Sequence, residues 1–68
     1  MILLTINGLE IELANNTTIE DYLHIHRLAG HKALAVARNG IVLTKQEHPS
    51  TLLLDGDIIE IVRAIGGG

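Results

Sequence analysis

The dipeptide Asn7-Gly8 stands between two apolar runs, ILLTI at residues 2–6 and LEIEL at residues 9–13. A two-residue type I′ turn needs positive φ at both central positions, and Asn-Gly adopts that geometry at little cost. Leu9, Ile11 and Leu13 alternate with Glu10 and Glu12, the period of a strand with one buried face. These residues predict a β-hairpin, and a hairpin with one apolar face needs another element to lie against it. The next segment offers one. Thr17-Thr18-Ile19-Glu20 reads as a capping box, in which a threonine hydroxyl takes a free amide and Glu20 reaches back. Ile19, Tyr22, Leu23 and His26 then recur at i, i+3, i+4 and i+7, so the spacing predicts a helix over roughly residues 18–28, stopping at Gly30.

The second half repeats the first device. KALAVAR (32–38) and IVLT (41–44) flank Asn39-Gly40, which predicts a strand, a turn and a shorter strand. KQEHPS reads as a loop, since Pro49 rules out a central strand. Asp55-Gly56 marks a turn, and IIEIVRAI (58–65) is the last strand. The order predicts an α+β fold: a mixed sheet of four to five strands with one helix packed across one face. Residues 1–65 form the domain, and residues 66–68 form a flexible glycine tail.

Composition narrows the function. A chain of 68 residues is one domain near the lower size limit for folding alone. It has no cysteine, hence no disulfide, no thiolate metal site and no cysteine nucleophile, which suits a reducing cytoplasmic setting. Tyr22 is the only aromatic residue, so the core is aliphatic. A net charge of −3 with no basic stripe argues against nucleic acid. No apolar run approaches a membrane span, and the opening residues do not read as a signal peptide. His24, His26, His31 and His48 form no set with metal-ligand spacing, and solvated or half-buried histidines are expected. No side chain reads as catalytic, because there is no nucleophile–base pair and no phosphate loop.

What remains is the carboxyl end, IVRAIGGG. Gly66, Gly67 and Gly68 bring no side chain to a core and lose the most backbone freedom on ordering. With ALAVARNGIV at 33–42, LLDGDIIEIV at 53–62 and the terminal Gly67-Gly68, the whole chain resembles the ThiS family, the ubiquitin-like β-grasp sulfur carriers of thiamine thiazole biosynthesis. The third glycine, Gly66, departs slightly from the family pattern and lengthens the reach of the tail. The resemblance implies that the α-carboxylate of Gly68 is the reactive group. A separate ubiquitin-activating-like adenylyltransferase would use ATP to make its acyl-adenylate. A persulfide-bearing sulfur donor would then displace AMP, leave a thiocarboxylate, and so load the sulfur for thiazole synthase. The carrier itself would be no enzyme and would bind no cofactor or metal.

Glycine suits that role because a Cβ would obstruct close backbone approach in a narrow active-site channel. Ordering the tail there costs roughly 1–2 kcal/mol of backbone entropy per residue, so the folded body must supply compensating contact. One helix covers one face of a sheet, which leaves an apolar pair of the last strand exposed. Register decides whether that pair is Ile59 and Ile61 or Ile58 and Val62; Ile58 and Val62, sharing a face with Glu60, are the expected docking residues, and the acidic excess suits a basic partner surface. Other readings are the small subunit of molybdopterin synthase, a ubiquitin-like modifier joined to lysines, and an interaction module with an inert tail. Brevity and the lack of Phe and Trp favour the thiamine carrier over the first.

Overall fold

The computed structural model describes residues 1–28 and 34–63. The elements are β1 (Ile2–Ile6), β2 (Leu9–Leu13), α1 (Ile19–Ile25), β3 (Leu34–Arg38), β4 (Ile41–Leu43), a 3₁₀ segment (Lys45–Ser50) and β5 (Ile58–Arg63). Five strands build one mixed sheet in the order β2-β1-β5-β3-β4. The last strand in sequence is therefore the central one, parallel to β1 and antiparallel to β3. Both hairpins turn on Asn-Gly with positive φ throughout: 50° and 82° at Asn7 and Gly8, 50° and 85° at Asn39 and Gly40. Register follows from these turns, with Ile6 opposite Leu9 and Arg38 opposite Ile41.

One face of the sheet carries Leu4, Ile6, Leu34, Val36 and Ile59, and α1 supplies Ile19, Tyr22 and Leu23 to the same core. Leu53 completes it from the segment before β5. That segment is tied to the start of the helix: Ile19 N–H donates to Thr51 O and Leu53 N–H to Thr17 O. Fully burying each such aliphatic side chain contributes about 1.5–3 kcal/mol. Among the described residues the core aromatic is Tyr22, whose burial raises its phenol pKa.

Several expectations are corrected at the ends of elements. The capping box forms, but between Thr18 and Asp21 rather than Glu20: Asp21 N–H donates to Thr18 Oγ1, and Thr18 N–H to Asp21 Oδ2. Thr18 is the N-cap, so the third helical residue is Asp21, and the one-position shift moves the reaching carboxylate with it. The helix also ends before Gly30. Arg27 takes the left-handed conformation at φ 58°, Leu28 N–H donates to Leu23 O, and Arg27 N–H to His24 O. This is a Schellman ending built without glycine. His26 lies outside the core as the helix C-cap, its ring 4.3 Å from that of Tyr22. KQEHPS, expected to be a loop, winds into the 3₁₀ segment. Thr44 caps it, its N–H donating to Glu47 Oε1. That bond holds the Glu47 carboxyl below its ordinary range. His48 is buried rather than solvated or half-buried. The predicted strand residues 32, 33, 64 and 65, Gly30, His31 and the glycine tail lie outside the described residues.

Candidate functional site

Strand β5 presents different chemistry on its two faces. Ile59 is in the core, and Ile61 packs against it half-buried. Ile58, Glu60 and Val62 point the other way and are exposed. The three residues named from sequence as a docking face therefore stand together on the side of the sheet away from the core. Pairing brings neighbours to them that the sequence reading missed. Thr5 lies beside Ile58 across the parallel ladder, Ala37 beside Glu60, and Ala35 beside Val62. Val42 lies beside Ala37 on the far edge, and Glu10 and Glu12 lie opposite Thr5 and Leu3 on β2. The outward positions of the described strands thus carry Leu3, Val42, Ile58 and Val62, all exposed, with three carboxylates and no cation. The alternation of each strand was visible in the sequence. Which strands lie beside β5 was not, since that depends on long-range pairing.

Two asparagines hold β5 in place, a role the sequence reading gave only to the turns they start. Asn39 Oδ1 accepts from Ile58 N–H at 2.9 Å, and Asn39 N–H donates to Ile58 O at 2.8 Å. Asn7 Oδ1 accepts from Ile61 N–H at 2.8 Å, while Asn7 Nδ2 donates to Ile61 O at 3.2 Å. One Asn-Gly turn grips the start of β5 and the other its distal half.

The turn before β5 is built from the two aspartates around Gly56. Asp55 Oδ1 accepts from Leu3 N–H at 2.7 Å, and Gly56 N–H donates to Leu3 O. Gly56 has φ 84°, which favours glycine there. Asp57 is buried, and its carboxylate is fully engaged: Oδ1 accepts from Asn39 Nδ2, and Oδ2 from Leu54 N–H and Arg38 Nε at 3.0 Å. The two carboxylates therefore serve the approach to β5, and the ion pair is compensated as a buried charge must be.

Ala64 and Ile65 separate β5 from the glycine tail in sequence, and these two residues with Gly66, Gly67 and Gly68 lie outside the described residues. Among the described residues no helix is long and apolar enough to cross a membrane. The fold, among the described residues a five-stranded mixed sheet with one α-helix, defines a ubiquitin-like β-grasp protein. Comparison narrows the class. The ThiS family model matches residues 3–68, through the last glycine. The sulfur carrier protein ThiS of Bacillus subtilis is 36% identical over 67 residues, covering 97% of this chain and all of that one. The crystal structure of the thiamine biosynthesis protein ThiS from Geobacter metallireducens superposes with a TM-score of 0.81 at 29% identity, covering 98% of this chain and all of that one. An NMR solution structure of a thiamine biosynthesis protein from the same organism gives 0.77 at 29% identity, over 98% and 88% of the two chains. The chain belongs to the ThiS family of sulfur carrier proteins.

Proposed function

We propose that this protein carries sulfur as a thiocarboxylate on Gly68 and hands it to thiazole synthase in thiamine biosynthesis. The observation that supports this most is the family match that reaches Gly68, the residue whose α-carboxylate would react. A free carboxylate is a poor electrophile. An adenylating partner of the ubiquitin-activating type would join it to the α-phosphate of ATP, releasing pyrophosphate. The outer sulfur of a persulfide donor would then attack the acyl carbon and expel AMP. Cleavage of the remaining S–S bond by a thiol would free the thiocarboxylate and leave the donor sulfur in a disulfide. Every catalytic group in this sequence belongs to a partner, and this chain brings one carbon atom and the surface that docks it.

That surface is the outward face of β5, with Ile58 and Val62 as anchors and Glu60 between them. Exposed apolar side chains gathered on one sheet face fit a partner site better than isolated exposed residues do. The carboxylates of Glu10, Glu12 and Glu60 suit a basic rim on the adenylating enzyme. The tail glycines, Gly66 to Gly68, would then enter the partner's channel.

Intact-mass spectrometry after incubation with ATP, a persulfide donor and the adenylating enzyme tests this reading. The expected product has one sulfur in place of one oxygen, located at Gly68. Because the chain has no cysteine, a thiol-directed alkylating reagent should label it only after ATP-dependent activation. Deleting Gly67 and Gly68 should abolish the labelling. An isopeptide-linked product with no alkylatable sulfur would make the protein a modifier instead.

A further inference from the structure

Strand β1 stops pairing with β5 well before β5 ends. Its last paired residue is Ile6, opposite Ile59, while β5 continues to Arg63. On the other side β3 follows β5 all the way, from Arg38 opposite Ile59 to Leu34 opposite Arg63. Along a strand, backbone groups point alternately to the two neighbours. Ile58 bonds toward the β3 hairpin through Asn39, and Ile59 bonds toward β1, its carbonyl accepting from Asn7 N–H at 2.9 Å. Ile61 also points toward β1, where the chain has already turned away at Asn7-Gly8. The Asn7 carboxamide occupies that position, accepting from Ile61 N–H and donating to Ile61 O. A primary amide offers the same donor and acceptor pair as a peptide group, so the side chain acts as one more residue of β1. Asparagine also tolerates the left-handed φ of 50° that the turn imposes.

We propose that Asn7 is a positioning residue for the carboxyl end: by clamping Ile61 it fixes the course on which the chain leaves the sheet toward Gly68. This rests on the reading that Gly68 is delivered into a partner's active site. The docking face sets where the body sits, and the Asn7 clamp sets the direction of the strand that feeds the tail from it. Small misplacement of a reacting group lowers the rate of chemistry more than it weakens docking.

The test uses Asn7→Gly, which keeps the turn geometry and removes the carboxamide, beside Asn39→Gly, which removes the matching grip at the start of β5. In the protein alone, amide hydrogen exchange at Ile61 should accelerate in Asn7→Gly and not in Asn39→Gly. An unchanged Ile61 rate in Asn7→Gly overturns the clamp. In adenylation assays Asn7→Gly should lower kcat by roughly tenfold or more with KM for the carrier little changed. Asn39→Gly should leave kcat near the parent value. Faster Ile61 exchange with unchanged kcat, or an equal kcat loss in both variants, overturns positioning while leaving the clamp intact. A parent chain that no adenylating enzyme accepts would overturn the sulfur-carrier reading and with it the positioning role. The Ile61 exchange data would still decide the clamp.

Discussion

Ile58 and Ile59 are adjacent and chemically identical, yet Ile59 is 1% exposed and Ile58 54%. The difference is only the pleat: successive side chains of a strand point to opposite faces. Inward, Ile59 meets a core drawn from β1, α1, β3 and Leu53. Outward, Ile58 meets Thr5 across the ladder and then solvent. A strand at the centre of a fully covered sheet is apolar on both faces because both are buried. Here, among the described residues, nothing covers the second face, and it still carries isoleucine and valine. Inner residues of β5 answer to stability. The outer ones contribute little to folding, and under the proposed function their apolar character fits a partner that would cover them.

The sharpest way to break this comparison is to truncate each face in turn. Ile59→Ala should cost about 2–5 kcal/mol, since the cavity would be bounded by elements on several sides. For a domain of this size that is comparable to the whole free energy of folding, about 0.05–0.15 kcal/mol per residue. Thermal denaturation should show a large fall in Tm or loss of the transition. A variant as stable as the parent would mean that Ile59 is not where the fold is held.

The outer face should respond in binding instead. Ile58→Asp or Val62→Asp should leave the circular dichroism spectrum native and weaken binding to the adenylating partner by more than about 1 kcal/mol, the mark of an energetically important contact. Calorimetric titration would measure it. Loss of structure in these variants, or full affinity, would remove the distinction between the two faces.

Much of this arrangement was legible in the residues. Both Asn-Gly turns, the alternation of LEIEL and the helical spacing of Ile19, Tyr22 and Leu23 are local signals, and each lies where it was read. The choice of Ile58 and Val62 as the outward pair rested on Glu60 sharing their face, and an unpaired carboxylate does not belong in a core. The misread features were decided by neighbours. Whether Glu20 or Asp21 closes the cap depends on which threonine starts the helix, and Thr17 was already committed through Oγ1 to Ala14 O. Arg27 ends the helix although glycine is the usual residue there, because Leu28 N–H can reach Leu23 O. The grips of Asn7 and Asn39 on β5 span 54 and 19 residues of sequence, and no local pattern reports them. KQEHPS winds into a 3₁₀ segment partly because Thr44 and Glu47 bond to each other, a three-residue spacing that the Pro49 signal overshadowed.

His48 supplies the smallest expected effect, and it separates the faces by pH. It sits in the 3₁₀ segment that packs against α1 on the covered side of the sheet. Its ring is buried, and Nε2 has no partner among the described residues. Burial lowers its pKa, outweighing the carboxylates of Glu20 and Glu47, while Lys45 pushes in the same direction as burial. The folded protein thus takes up a proton on His48 less readily than the unfolded chain does. Above the ordinary histidine value of about 6.5 both states are neutral there and stability is unaffected. As pH falls below it the unfolded chain protonates first, so stability declines until the folded form protonates as well. Glu47 adds an acid loss of its own, but only below its ordinary value of 4.5, because its carboxyl is held low by the Thr44 N–H. Urea denaturation at a series of pH values should show the histidine decline setting in below 6.5, well before the Glu47 range. His48→Gln should flatten that upper segment and leave the lower one. Nothing comparable is expected from the outward face, so Ile58→Asp should retain the histidine decline. If His48→Gln titrates like the parent between 6.5 and 4.5, the acid sensitivity lies elsewhere and the burial of this ring does not cost stability in acid.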